Sequence, residues 1–383
     1  MICIKGPGLR GVRLSGVRLQ AIWAGPIVDD MPDDARRLEG LRETAIPGKP
    51  VVDPAVWTGA EMAARGDWIY ELSAADIASL SEMVKTVRAE IGDDPNGLLP
   101  LRREELDLGD FAQPMAEIYR QIEDGRGFQL IRGLPVGIWK PLDLAVAYWA
   151  MGLNIGTPVA NNPEGDMLGH VVDLGKDYEN PAHRGYQTSA HMLFHSDQCD
   201  VVTLLCLRTS KSGGASKIVS SLAVHNEMVR RRPDLAAELG REFYWTKHGE
   251  VPEGDHPWYR LSVFNYCEGF LSVVGGQNHI RKGHALPGVP PLTAAQLEAL
   301  QVMADINEEL HLSMTFLPGD IQILNNHVTT HSRTAFEDWP EPERRRKLWR
   351  LWLRNEALRP RAAGFAERVS GICGLATRPQ VVL

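Results

Sequence analysis

From about residue 185 onward the sequence breaks into short apolar runs separated by glycine and proline turns, and this rhythm restricts the folds open to the chain. The runs include VVTLLCLR (201–208), SKIVSS (216–221), RLSVFNYCEGFLSVV (260–274), LSMTFLPGDIQIL (312–324) and KLWRLWLR (347–354). Many short strands between turns favour a β-sandwich or barrel over a parallel α/β sheet. Helices precede and interrupt them. Ser73 and Asp76 have capping-box spacing ahead of an apolar stripe at Ile77, Leu80, Val84, Val87 and Ile91, and Gly92 supplies a stop. Further helices are expected over 114–123 and 141–152, after Ser221, and from Thr293, whose capping partner is Gln296. The class is mainly β with flanking helices.

Residues 21–70 are rich in Pro, Gly, Trp and Asp with little periodicity and are expected to wrap over a core built later in the chain. The chain therefore divides into an N-terminal arm and wrapping segment (1–70), one domain (71–356) and a C-terminal tail (357–383). Acidic residues outnumber basic ones by 49 to 41, the wrong balance for neutralising phosphates, so nucleic acid is not an expected partner. No apolar run approaches the roughly 20 residues that span a bilayer, and the first 20 residues read as a loose arm rather than a signal peptide. Five scattered cysteines without a C-x-x-C pair point to reduced thiols in the cytoplasm.

The segment FHSDQCDVV (194–202) places His195 two residues from Asp197. In a strand such residues share a face roughly 6 to 7 Å apart, so an imidazole and a carboxylate converge on one ion. H-x-D alone also arises by chance and needs a third ligand. LPGDIQILNNHVTTHSRTAF offers His327 and His331. Their spacing is that of the helical zinc motif H-E-x-x-H, but Val328 stands where the glutamate belongs, and in an extended chain the two would lie roughly 13 Å apart. One of them is thus a candidate ligand. Two histidines and a carboxylate with open positions form the facial triad of non-heme iron(II) oxygenases. In RRRKLWRLWLR, alternation puts Arg346, Leu348, Arg350 and Trp352 on one face and Lys347, Trp349, Leu351 and Leu353 on the other. An arginine pointing into so apolar a strand needs an anion, supplied either by a protein carboxylate or by a small molecule, unless the strand is at an edge with its arginines in solvent.

Together, His195-Ser196-Asp197, SGGASK (212–217), PGDIQILNNH, His331 and ERRRKLWRLWL resemble the iron(II)- and 2-oxoglutarate-dependent dioxygenases similar to taurine dioxygenase, the TauD/TfdA-like group, over about 127–354. The resemblance implies a double-stranded β-helix, the jelly-roll or cupin-like core, with helices outside. It implies iron(II) on His195, Asp197 and His331, with 2-oxoglutarate and O2 as co-substrates. Arg346 would anchor the distal 2-oxoglutarate carboxylate, Arg350 would be a second arginine close to it, and Ser216 stands where relatives often carry threonine. His327 has no ligand role in the family. A retained Asp197 resembles the oxygenating rather than the halogenating branch.

The implied activity is oxidation, foremost hydroxylation, of an unactivated C–H bond of a small molecule, with release of succinate and CO2. Desaturation, ring formation and C–S or C–O cleavage are alternative outcomes, and a non-catalytic cupin-like binder or a zinc hydrolase are the rival classes. A homo-oligomer is compatible with the sequence. Strand parity would extend the ligand face to Gln187, Ser189, His191 and Leu193, and Cys199 reads as a small hydrophobe. The long polar segments 158–186 and 245–290 read as lids, with Arg184, Tyr186, Trp258, Tyr259 and Tyr266 as candidate substrate contacts.

Overall fold

The structure is a computed structural model that describes residues 41–176, 185–251, 253–362, 364, 365, 368 and 378–383. Residues 1–40, with the expected N-terminal arm, lie outside the described residues, as does Arg184. The fold is a mixture of helices and largely antiparallel sheets. The larger sheet runs in the order Ile69–Glu71, Phe128–Arg132, Ile321–Asn325, Val201–Arg208, Lys347–Arg354 and Thr157–Val159, and Gly169–Val171 also pairs with Lys347–Arg354. A four-stranded sheet has the order Leu312–Met314, Ser216–Ser220, Thr329–Arg333 and Met192–His195, antiparallel throughout.

The chain steps between these two sheets. Met192–His195 leads to Val201–Arg208 in the larger sheet and then back to Ser216–Ser220 in the smaller. The second half repeats this, from Leu312–Met314 to Ile321–Asn325, Thr329–Arg333 and Lys347–Arg354. One apolar cluster joins the facing sides, with Phe128, Val202, Leu324, Leu348 and Trp352 from the larger sheet and Ile218, Leu312 and Met314 from the smaller. Trp349, Leu351 and Leu353 belong to a second cluster on the outer side, with residues of the helices Ala74–Ile91, Ala112–Glu123 and Pro141–Leu153. The strand-face assignment of 347–354 is therefore the observed one. It follows from having apolar partners on both sides, each buried large side chain contributing about 1.5 to 3 kcal/mol.

Ser73 with Asp76 and Thr293 with Gln296 form the expected capping boxes, each cap contributing about 1 kcal/mol. The 245–290 segment differs from its reading as an open lid. It takes part in two hairpins, Glu242–Thr246 with Trp258–Ser262 and Phe264–Cys267 with Phe270–Val273, followed by the helix Gln277–His284. The second hairpin falls within the strand-like run 260–274, whereas the first closes across the polar, Pro- and Gly-rich stretch 247–257, which hides it in the sequence. Cys199 and Cys206 are free and buried, whereas Cys267 is disulfide-bonded, which corrects the expectation of five reduced thiols. Disulfides depend on a fold bringing two Cα atoms together, which sequence spacing does not reveal. No helix among the described residues is long and apolar enough to cross a membrane.

Candidate active site

His195 and His331 come together through strand pairing. They are direct cross-strand partners in the smaller sheet, and their rings lie 4.3 Å apart between centroids. The strand Met192–His195 ends at the histidine, so Asp197 sits in the following turn rather than further along a regular strand. The turn still brings it back, and ligand atoms of His195, Asp197 and His331 all lie within 4.8 Å of one another. His195 Nδ1–H donates to the Leu193 carbonyl at 2.9 Å, which leaves Nε2 facing Asp197 Oδ1, 3.9 Å away. The other carboxylate oxygen, Oδ2, accepts from the Trp352 indole N–H at 2.9 Å and from Arg350 at 3.4 Å.

Burial opposes charge on this cluster, and each group answers according to its neighbours. Desolvation and the adjacent His195 push the His331 imidazole down to about 3, and desolvation lowers His195 as well. For Asp197, Arg350 and the neighbouring histidines outweigh the desolvation and hold the carboxyl well below the usual carboxylate range. At neutral pH the three groups are two neutral imidazoles and one carboxylate, the protonation state that a metal ion requires. The donor set fits iron(II), and two nitrogens with one oxygen leave coordination positions open.

The two arginines of the Lys347–Arg354 region have different surroundings. Arg350 donates to Asn161 Oδ1 at 2.9 Å as well as to Asp197, and its guanidinium lies over the Tyr186 and Trp352 rings. Arg346 is 7% exposed, and among the described residues its guanidinium makes no ion pair or hydrogen bond. Its backbone N–H donates to Asp338 Oδ1, its side chain passes 5.2 Å from the Phe336 ring, and Gly214 lies close enough that a Cβ there would sit 3.5 Å from Arg346 Nε. Desolvation lowers it to about 10, outweighing the opposing influence of the nearby Cys206 and Asp338. Ser216 begins the strand two residues beyond Gly214, and its hydroxyl accepts from Gln322 Nε2 at 3.0 Å.

A cleft open to solvent lies beside His195 and Asp197. Tyr186, Leu193, His248, His279, Lys282 and Trp352 line it. Of the aromatic candidates only Tyr186 does so. Tyr259 stacks on Trp245 in the core, Tyr266 bonds His225, and Trp258 packs on His256 and Tyr244. The parity extension beyond Leu193 fails too, because Gly185–Gln187 is a 3₁₀ turn and residues 188–190 are bends. His327 is fully buried, with Asp200 on Nε2 and Ser272 on Nδ1, both at 3.0 Å. Cys199 is buried in the inter-sheet cluster.

The model of the taurine catabolism dioxygenase TauD, TfdA family matches residues 95–352. The chain belongs to this family. It is an iron(II)- and 2-oxoglutarate-dependent oxygenase. It is 30% identical over 320 residues to FR-33289 synthase of Streptomyces rubellomurinus, covering 80% of this chain and 91% of the relative. A taurine hydroxylase-like protein of Stachybotrys chartarum is 28% identical over 312 residues, 78% of each chain. The solved structure of asparagine oxygenase with iron(II), 2S,3S-3-hydroxyasparagine and succinate superposes with a TM-score of 0.59 at 17% identity, covering 78% of this chain and 98% of that one.

Several contributors escaped the sequence reading. Trp352 was placed on the Arg350 face, but nothing in the sequence showed its indole reaching Asp197. Asn161 holds Arg350 from 189 residues away. Asn326 accepts from the Asp197 N–H at 3.3 Å and donates to the Cys199 carbonyl at 3.0 Å. The doublet Asn325-Asn326, two polar residues ending an apolar strand, was the one available signal.

Proposed function

We propose that His195, Asp197 and His331 bind the iron and that Arg346 anchors the far carboxylate of 2-oxoglutarate. The observation that carries this is the pairing of a metal-ready triad with a buried guanidinium that makes no ion pair or hydrogen bond among the described residues, the nearby Asp338 charge not offsetting its burial. A buried cation without a partner costs several kcal/mol, and a dicarboxylate offsets that cost through two charge-assisted hydrogen bonds. Arg346 and Arg350 share a strand face four residues apart, roughly 13 Å along the chain, so the anchor sits up the strand from the triad. Ser216, beside Gly214, is the second contact at the anchor end. Arg350 serves the co-substrate indirectly, by fixing Asp197. We infer that the stepping of the chain between two sheets is a double-stranded β-helix, with 71–356 as the catalytic unit.

When bound, iron(II) with 2-oxoglutarate and O2 supplies the oxidising power for hydroxylating an unactivated C–H bond, with succinate and CO2 as co-products. The protein orients and excludes. Trp352 and Arg350 occupy Asp197 Oδ2 and leave Oδ1 for the metal, while the Leu193 carbonyl fixes the His195 ring. Tyr186, His248, His279 and Lys282 line the cleft beside Asp197, and the substrate is a small molecule that binds there. The test is succinate formation from 2-oxoglutarate in the iron-loaded enzyme, with and without candidate small molecules. Stimulation by a small molecule, lost in His195→Ala, is the expected result. No succinate from the iron-loaded enzyme with any candidate, or equal turnover in His195→Ala, would remove this reading.

A further inference from the structure

The turn that carries Asp197 is held from behind by residues beyond the family match. Ser196 to Asp200 link the strand ending at His195 to the strand beginning at Val201. Besides its bonds to Asp197 and Cys199, Asn326 donates its backbone N–H to the Asp200 carbonyl at 2.9 Å. Two arginines of the C-terminal segment grip the ends of the same turn. Arg368, 2% exposed, donates to the Ser196 carbonyl at 2.8 Å from 172 residues away. Arg361 donates to Asp200 Oδ2 at 2.5 Å, where the Asn355 N–H also binds at 2.8 Å. The other oxygen of Asp200 takes His327. Both arginines lie after residue 352, where the family match ends.

Packing alone does not account for these side chains. Burying a guanidinium costs several kcal/mol, and an apolar side chain of similar size fills such a space more cheaply. Arg368 accepts that cost for a hydrogen bond to one carbonyl, with no partner for its buried Nη1 among the described residues. Arg361 offsets the charge of Asp200, a fully buried carboxylate three residues from Asp197 that would otherwise repel it. Arg359 provides an internal contrast. It binds Asp53 at 2.7 Å and the Leu271 carbonyl at 3.1 Å, tying the same segment to the body of the protein without bonding the turn.

We propose that the C-terminal segment is a positioning element of the metal site, with Arg361 and Arg368 setting the place of Asp197 through the Ser196–Asp200 turn. The proposal rests on the assignment of Asp197 as an iron ligand. The test compares Arg361→Met, Arg368→Met and Arg359→Met with the wild-type full chain, measuring anaerobic iron(II) affinity, the visible band formed on adding 2-oxoglutarate, and Tm. Arg361→Met and Arg368→Met are each expected to weaken iron(II) binding at least about tenfold and to shift the band. Arg359→Met lowers Tm while iron(II) affinity stays within about twofold of wild type. Arg368→Lys, which keeps a donor, recovers part of the loss. If a Met variant does not fold, the Gln variant at that position carries the same expectation. Unchanged affinity and band in the Arg361 and Arg368 variants would overturn the proposal, as would losses in all three that simply track Tm. A wild-type protein that binds no iron(II) would instead overturn the site assignment, and this inference with it.

Discussion

Arg346 and Arg350 stand four residues apart on one face of the same strand region, yet one has hydrogen-bond and ion-pair partners and, among the described residues, the guanidinium of the other has neither. Arg350 is held by Asn161, Asp197, Tyr186 and Trp352. Arg346 is equally buried, and its guanidinium meets an aromatic ring and glycine backbone. The difference separates a guanidinium bonded within the protein from one that we propose binds 2-oxoglutarate. It also gives the two residues opposite relations to stability, because removing a partnered charge strands its partner whereas removing an unpartnered one strands nothing.

The largest effect is expected at Arg350. Arg350→Met leaves the Asp197 carboxylate buried with only the Trp352 N–H and neutral imidazoles, and should destabilise the metal-free protein by about 3 to 5 kcal/mol in chemical denaturation. Arg346→Met should leave that stability unchanged or raise it, while increasing the 2-oxoglutarate KM about 100-fold, about 2.7 kcal/mol, with iron(II) affinity retained. If both variants lose stability alike, the contrast fails.

The imidazoles sharpen the comparison by pH. His331 is held near 3 in the folded state against 6.5 for the ordinary group, so as pH falls below 6.5 the unfolded chain takes up a proton that the folded one refuses. Metal-free stability is therefore full above about pH 7 and declines as pH drops, by about 2 kcal/mol at pH 5 from this group. The depressed Asp197 adds loss in the same direction only below its ordinary value of 3.8. A urea-denaturation series in which stability stays flat from pH 7 to 5 would contradict the buried neutral histidines. The smallest effect is expected at Ser216, whose hydroxyl is already bonded to Gln322. Ser216→Ala should raise the 2-oxoglutarate KM less than about fivefold, under 1 kcal/mol.

What the sequence disclosed was local. The alternation in 347–354 and the capping boxes at Ser73 and Thr293 depend on neighbours within a few residues, and they appear as read. The residue types of the triad were legible for the same reason. Their meeting was not, because it depends on the register that sets His331 opposite His195 and on a turn that displaces Asp197 from the strand. Trp352, Asn161, Asn326 and Arg368 reach the site through contacts spanning more than 100 residues, which leave no periodic trace. The 245–290 segment was legible in part: its second hairpin falls in the strand-like run 260–274 and His248, His279 and Lys282 line the cleft as a binding-loop reading implies, but the first hairpin closes across a polar stretch that does not stand out from loop.

The central claim is that this triad and Arg346 form one iron and 2-oxoglutarate site. An anaerobic titration of the metal-free protein with iron(II) and then 2-oxoglutarate, followed by visible absorption, tests it most directly. One iron per chain is expected, with a charge-transfer band that saturates with 2-oxoglutarate, is absent in His195→Ala and needs far more 2-oxoglutarate in Arg346→Met. Iron bound with no band, or a band unchanged in His195→Ala, would contradict it.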